Sequence, residues 1–420
     1  MGYAVYMTTL LLFLFLLVTG FGYLLRFLNL RHLKRYGDRV PSGFEDAIDP
    51  ELLRRTSAYT FDMSRVGLAE SILDNILLVV FLFAGLLPLY DRWVVSLGGS
   101  FAVNGVMFFL FLTLFQTALD IPFSLYSTFR IENRYGFNTT TPRLWLGDLV
   151  KSTLLSTVLL CLLAGGALKL VQWSPGHWWL WVWGFFVAIG LFIMYVSPYV
   201  IEPLFNRFEP LKDEELAEEI REMLDRAGLQ VSRVLQVDAS KRSRHSNAYF
   251  TGIGRTKRIV LYDTLLQQMD RREILAVLAH EAGHWKKGHI RKRIVASEAA
   301  AFAGLVAAYW LLRWGGLPGL LGIGRLSFAG QTMILGFLMS LVSFPFTPLS
   351  SWFSRRHERE ADRFATEISG MPDALASALI KLSKENLSNL HPHPLYATFH
   401  YSHPPVVERV NALRNSVPQD

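Results

Sequence analysis

The chain has 420 residues, of which 51% are hydrophobic and only 18% charged, with a mean hydropathy of +0.27. The apolar residues gather in long runs, which excludes an ordinary soluble domain and points to a bilayer. The formal net charge of +7 is assigned to arginine and lysine in loops that face anionic lipid rather than to nucleic acid. The one cysteine, Cys161, excludes an internal disulfide and a thiolate metal site.

Seven apolar runs are predicted to cross the membrane, over residues 5–28, 72–90, 101–125, 149–171, 178–200, 296–312 and 328–346. The first has no basic residues ahead of it and no small-residue cleavage site, so it reads as an uncleaved membrane helix. A short turn over 91–100 joins the second and third runs, and Pro175 and Gly176 separate the fourth from the fifth. Trp173, Trp178, Trp179, Trp181 and Trp183 crowd that side as an interfacial belt. Arginine and lysine follow the first, third, fifth and seventh runs, which places the N-terminus outside and the C-terminus in the cytoplasm. Asp74, Asn75, Gln116 and Asp120 are costly against lipid, so they either bond neighbouring helices or line a hydrated cavity.

Residues 203–295 form a polar segment between the fifth and sixth spans. It contains an amphipathic helix over 211–227 and short strands over 235–238, 248–251 and 258–262, with Gly252 and Gly254 in a turn. The chain thus divides into spans (1–202), a cytoplasmic segment (203–295), two further spans (296–350) and a cytoplasmic tail (351–420). The fold class expected is a multi-pass α-helical membrane protein with a cytoplasmic α+β domain.

The chemistry lies in His280-Glu281-Ala282-Gly283-His284. Ile274, Leu275, Val277 and Leu278 give this stretch a helical apolar face. Residues four apart share a helix face, so His280 and His284 can address one ion while Glu281 reaches its water. Gly283 leaves room for another element to approach. Zinc in a hydrolase takes three protein ligands and keeps a position for water. The extended pattern HExxHxxGxxH fails, because Lys287 and Ile290 occupy its later positions and His289 is one place out of step. The third ligand is instead assigned to Glu358, which the expected topology places on the same side of the membrane. Asp362, one turn on, is placed to brace a histidine ring. Glu360 lies about 200° round the helix from Glu358 and is expected in solvent.

Together HEAGHWKKGH, SRRHEREADRFA, NAYFTG with KRIVLYDTLL, SPYVIEPLFNRFEPL, IENRYGFN and HPPVVERV resemble the integral-membrane CAAX prenyl endopeptidases, HExxH enzymes of the gluzincin type. The resemblance runs from about residue 124 to 413. It implies a seven-helix barrel around a hydrated chamber, closed on the cytoplasmic side by the zinc domain. It also implies one Zn²⁺ per chain held by His280, His284 and Glu358, with Glu281 as the base. Asn247 and His403 match residues that stabilise the transition state, and Arg409 matches an arginine near the ligating glutamate. The strand from Asn247 to Phe250, with Ala248 and Tyr249 within it, can add a substrate by backbone pairing if it is an edge.

The expected function is zinc-dependent peptide hydrolysis on peptide or lipidated protein substrates, in contact with membrane lipids and without nucleic acid. The membrane is the inner membrane of a bacterium or the endoplasmic reticulum of a eukaryote. Two other readings are a quality-control metalloprotease, whose relatives usually have fewer spans, and a transporter or scaffold with an inert motif. The intact Glu281 argues against inertness.

Overall fold

A computed structural model of the protein describes residues 2–252 and 258–415. The spans open with α1 (Gly2–Tyr36), α2 (Pro50–Phe83), α3 (Leu86–Ser96), α4 (Phe101–Tyr126), α5 (Pro142–Trp173), α6 (Trp178–Val200) and the short α7 (Glu202–Phe205). The polar segment holds α8 (Glu214–Arg226), α9 (Asp263–Gln268) and α10 (Arg271–Lys286). There follow α11 (His289–Trp314), α12 (Leu317–Leu320), α13 (Phe328–Ser343), α14 (Thr347–Ser369), α15 (Pro372–Glu385), α16 (Pro394–His400) and α17 (Val406–Arg414). Among the described residues seven helical segments are long and apolar enough to cross a membrane.

Several helices run well past their apolar stretches because polar caps, not hydropathy, decide where a helix starts. Asp49 accepts the Leu52 N–H at 2.7 Å and Pro50 occupies the first turn, so α2 begins 22 residues ahead of the apolar run expected at 72. At its other end α2 stops at Phe83, because Gly85 adopts φ +85° and turns the chain into α3. The second span therefore differs from the expected 72–90, and the expected 91–100 turn is partly the amphipathic α3. Leu87 and Val94 of α3 are buried, and its Asp91 accepts the Ser327 N–H at 2.8 Å, tying α3 to the start of α13.

The polar residues inside the spans bond to neighbouring helices. Asn75 donates to the Tyr23 hydroxyl at 2.8 Å, and Gln116 donates to Asp74 at 3.0 Å and Asp120 at 2.8 Å.

A four-stranded sheet comprises β1 (Phe208–Pro210), β2 (Arg233–Val237), β3 (Ala248–Thr251) and β4 (Arg258–Tyr262), in the order β1-β2-β4-β3. β2 and β4 are parallel and the outer pairs antiparallel, with Tyr249 opposite Val260. β3 is thus an edge. Three strands match the expected ones closely; β1, only three residues long, carries no alternation to announce it. Gly252 adopts φ +90° at the end of β3, and Gly254 lies outside the described residues.

The core of the polar domain joins Ile220 and Leu224 of α8, Ile259 and Leu261 of β4, Ile274 and Leu278 of α10, and Leu375 and Ile380 of α15. Phe44 and Leu53, from the approach to and first turn of α2, complete it and dock the domain on the spans. At the far end of the spans Leu11, Phe15, Leu82, Phe108 and Phe337 form a separate apolar cluster.

The IENRYGFN stretch serves this docking. Glu132, in a π-helical turn over Ser127–Glu132, accepts from Tyr59 at 2.6 Å and lies 3.4 Å from His245. Phe137 stacks on the His245 ring at 4.2 Å.

Candidate metal centre and active site

Two helices converge on the site, one joined to a span by a tight turn and the other continuous with one. α10 meets α11 across one turn, at Gly288 with φ +68°. α13 passes through a 3₁₀ turn at Phe344–Phe346 into α14, so that Phe328–Ser369 is a helical rod of 42 residues, about 63 Å long. The bilayer segment and the site are therefore held by the same rods.

The start of α10 is pinned by a capping box: Asp270 accepts the Glu273 N–H at 3.0 Å, and Glu273 accepts the Asp270 N–H at 2.9 Å. Buried Glu273 also accepts from Ser377 and Lys381 of α15, both at 2.7 Å. These bonds fix the rotation of α10 and hence the direction of its histidines.

α10 packs directly on α14, and Gly283 is the contact point. A Cβ there would sit 3.0 Å from the Ala361 Cα and 3.1 Å from its carbonyl oxygen. Even an alanine there would require α14 to give by a few tenths of an ångström.

Across that contact the His280 and His284 Nε2 atoms are 3.2 Å apart. The Glu358 carboxylate lies 3.4 Å from His280 Nε2 and 3.2 Å from His284 Nε2. Ligand atoms bound at about 2.0–2.1 Å around a tetrahedral zinc stand about 3.3–3.4 Å from one another. Glu358 Oε2 is buried and receives no hydrogen bond among the described residues, as suits an atom aimed at a cation. The three residues thus fit the ion that the motif implies.

The remaining predicted residues fall as follows. His280 Nδ1 is 2.8 Å from Asp362 Oδ1, and Arg409 grips Asp362 with two bonds of 2.9 and 2.7 Å. Arg409 also lies 3.9 Å from Glu358. His403 Nε2 stands 3.5 Å from Glu358 Oε1, with its side chain 61% exposed. Glu281 shares a cavity of about 240 Å³ with Tyr249, Phe250, His284, Glu358 and His403. Burial pushes the Glu281 carboxyl above the usual carboxylate range, in the direction a proton acceptor needs.

Asn247 is exposed and its side chain accepts from the Ala248 N–H at 2.8 Å; it does not line that cavity. Ala248 is buried in the domain core, so only its backbone is available to a ligand. Tyr249 does line the cavity, and its hydroxyl donates to Glu202 at 3.2 Å.

Phe250, the last residue of the expected substrate-pairing strand, lines the cavity, and so do Trp285 and His357, which sequence reasoning missed. Phe250 and Trp285 meet with ring centroids 5.5 Å apart. Trp285 directly follows His284, so its position on the metal helix was a usable signal. Glu360 keeps 30% of its side chain in solvent, but it is also bonded to His289 at 3.1 Å and to Arg356 at 3.1 Å, because the α10–α11 turn carries His289 across to it.

Comparison with known proteins agrees with this arrangement. Residues 29–207 match the family model described as the CAAX prenyl protease N-terminal domain with five membrane helices, and residues 210–417 match peptidase family M48. The chain is 34% identical to CAAX prenyl protease 1 homolog of Arabidopsis thaliana, covering 89% of this chain and 90% of that one. It is 33% identical to CAAX prenyl protease 1 of Saccharomyces cerevisiae, covering 89% and 88%. The crystal structure of S. mikatae Ste24p superposes with a TM-score of 0.89 at 29% identity, covering 98% of this chain and 99% of that one. The seven spans, the sheet domain and the paired metal helices are therefore those of a multi-pass membrane peptidase, and the chain belongs to peptidase family M48, within the CAAX prenyl protease group.

Proposed function

We propose that this protein is a zinc endopeptidase that removes C-terminal residues from peptide or lipidated protein substrates, working at the cytoplasmic mouth of a hydrated chamber between the spans. The observation that carries this reading is the meeting of His280, His284 and Glu358 at tetrahedral spacing beside Glu281. The cytoplasmic orientation is supported by the basic residues at this end of the spans: Lys34 and Arg35 close α1, and Arg291, Lys292 and Arg293 open α11.

When bound, zinc lowers the pKa of its water toward about 7 and polarises the scissile carbonyl. The chain's own residues then divide the work. Glu281 takes the proton from the attacking water and returns it to the leaving amine. His403 stabilises the oxyanion as a hydrogen-bond donor, while Asn247, whose side chain accepts from the Ala248 N–H, holds the start of β3 in place. The free edge of β3 pairs with an extended substrate and presents it along the cavity, with Tyr249 and Phe250 beside the reacting bond. Asp362 and Arg409 hold His280 in the tautomer whose Nε2 is free to ligate.

Purified protein given prenylated and plain peptides of one sequence, with products mapped by mass spectrometry, tests this. Cleavage beside the prenylated cysteine that stops on chelation is the expected result. Equal cleavage of both peptides at other bonds would leave a peptidase and remove the prenyl-tail reading. Cleavage unaffected by chelation would remove the metal mechanism.

Metal uptake is also expected to depend on pH. Burial lowers the proton affinity of His280, but the hydrogen bonds that its imidazolium donates to Asp362 and Glu358 overcome this and raise its pKa to about 9 in the metal-free site. A ligating imidazole must be unprotonated, so below about pH 9 zinc must displace this proton. Affinity should then fall about tenfold for each unit that the pH drops, as measured by chelator competition from pH 8 down to 6 (roughly the range in which zinc binding releases protons).

A further inference from the structure

His280 has an evident brace in Asp362, whereas among the described residues no carboxylate stands at the outer nitrogen of His284. What stands there is a third histidine. His284 Nδ1 lies 3.1 Å from His289 Nδ1, and His289 Nε2 lies 3.1 Å from Glu360 Oε2. Glu360 in turn accepts from Arg356 at 3.1 Å.

The protonation pattern follows from the geometry. When His284 gives Nε2 to a metal held with Glu358 and His280, its neutral imidazole carries the proton on Nδ1. That N–H donates to His289 Nδ1, which must then be unprotonated. The His289 proton consequently sits on Nε2 and donates to the Glu360 carboxylate. Every nitrogen in the row has one role, and the negative charge at its end is balanced by Arg356.

The local fold is arranged to hold this row. Gly288 takes the left-handed conformation that favours glycine, and the turn it makes swings His289, the first residue of α11, back against the last turn of α10. His289 is 1% exposed, and the His357 ring lies flat on it at 4.1 Å with 12° between the planes. A histidine this buried, with both nitrogens bonded, has a single orientation.

We propose that His289 and Glu360 form a relay that orients His284 toward the metal and strengthens it as a ligand, which makes His289 a positioning residue of the metal centre. The relay is the counterpart, on the second imidazole, of the Asp362–Arg409 brace on the first. It rests on the reading of His280, His284 and Glu358 as a metal site.

The test is zinc affinity, read by chelator competition on the full-length protein in detergent, with thermal melting to confirm folding. His289→Ala should bind zinc roughly 10- to 100-fold more weakly, the usual loss when a ligand's outer partner is removed. His289→Gln should recover most of that loss, because its amide oxygen accepts from His284 while its N–H₂ donates to Glu360; His289→Leu, which fills the space without those bonds, should not, whereas a packing role alone would let both recover. Glu360→Ala, at a partly exposed position, should also weaken binding. The double variant His289→Ala/Glu360→Ala should be little weaker than His289→Ala, because the two residues act in series.

Parent-like affinity in His289→Ala, or a Gln variant as weak as Ala, would overturn the relay. If His289→Ala does not fold, unchanged affinity in Glu360→Ala overturns it equally. A parent protein that binds no zinc would instead overturn the metal site itself, so the two failures are distinguishable.

Discussion

Replacing Glu281 with glutamine should leave zinc bound and lower kcat/KM for peptide cleavage by roughly 10²- to 10⁴-fold, the range for loss of a general acid–base group. Glutamine matches the shape of the side chain but cannot accept and return a proton. Glu281 lies in the cavity beside His284, Glu358 and His403 without being one of the three clustered ligand residues, so the metal content should not change. Activity that persists in the zinc-loaded variant would mean that another group takes the proton, and among the described residues no other carboxylate lines the cavity except the ligand Glu358.

Glu358→Ala should have the opposite signature. It removes a ligand, so zinc affinity should fall by more than the roughly 100-fold expected for an outer partner, and cleavage should fall in step. The loss is severe because α14 offers no near substitute: Asp362 is already bonded to His280 and Arg409, and Glu360 is turned toward His289. Metal analysis after dialysis and chelator competition measure the effect. Unchanged zinc content would assign the third position to another residue.

The core of this site could be read before any coordinates because it depends on local rules. His280 and His284 share a face through the helical repeat alone. Glu358 needed one further step, a count of spans that put the tail on the same side of the membrane as α10. Asp362 followed from its spacing to Glu358. The relay through His289 and Glu360 was not legible, because its partners lie 71 residues apart and meet only through the left-handed turn at Gly288. His289 had been set aside for being one place out of step with a ligand pattern; the same offset puts it behind His284 rather than beside the metal.

The fold divided in a similar way. Hydropathy located the spans, because lipid contact is a property of residue type. It could not show where helices end, since α2 starts at the Asp49 cap and stops at the Gly85 turn. α3 straddles the end of the second apolar run and the polar turn after it, so neither announced it, and β1 is a strand only because β2 pairs with it.

The central claim is that imidazoles from the helix leading into the sixth span and a carboxylate from the extension of the seventh hold one cation. X-ray absorption at the zinc edge, with quantified metal, tests it on purified protein and on Glu358→Ala. The account predicts one zinc per chain with two imidazole nitrogens and a carboxylate oxygen at about 2.0–2.1 Å, the carboxylate signal vanishing in the variant. A zinc-free active protein, or an identical spectrum in the variant, would contradict it.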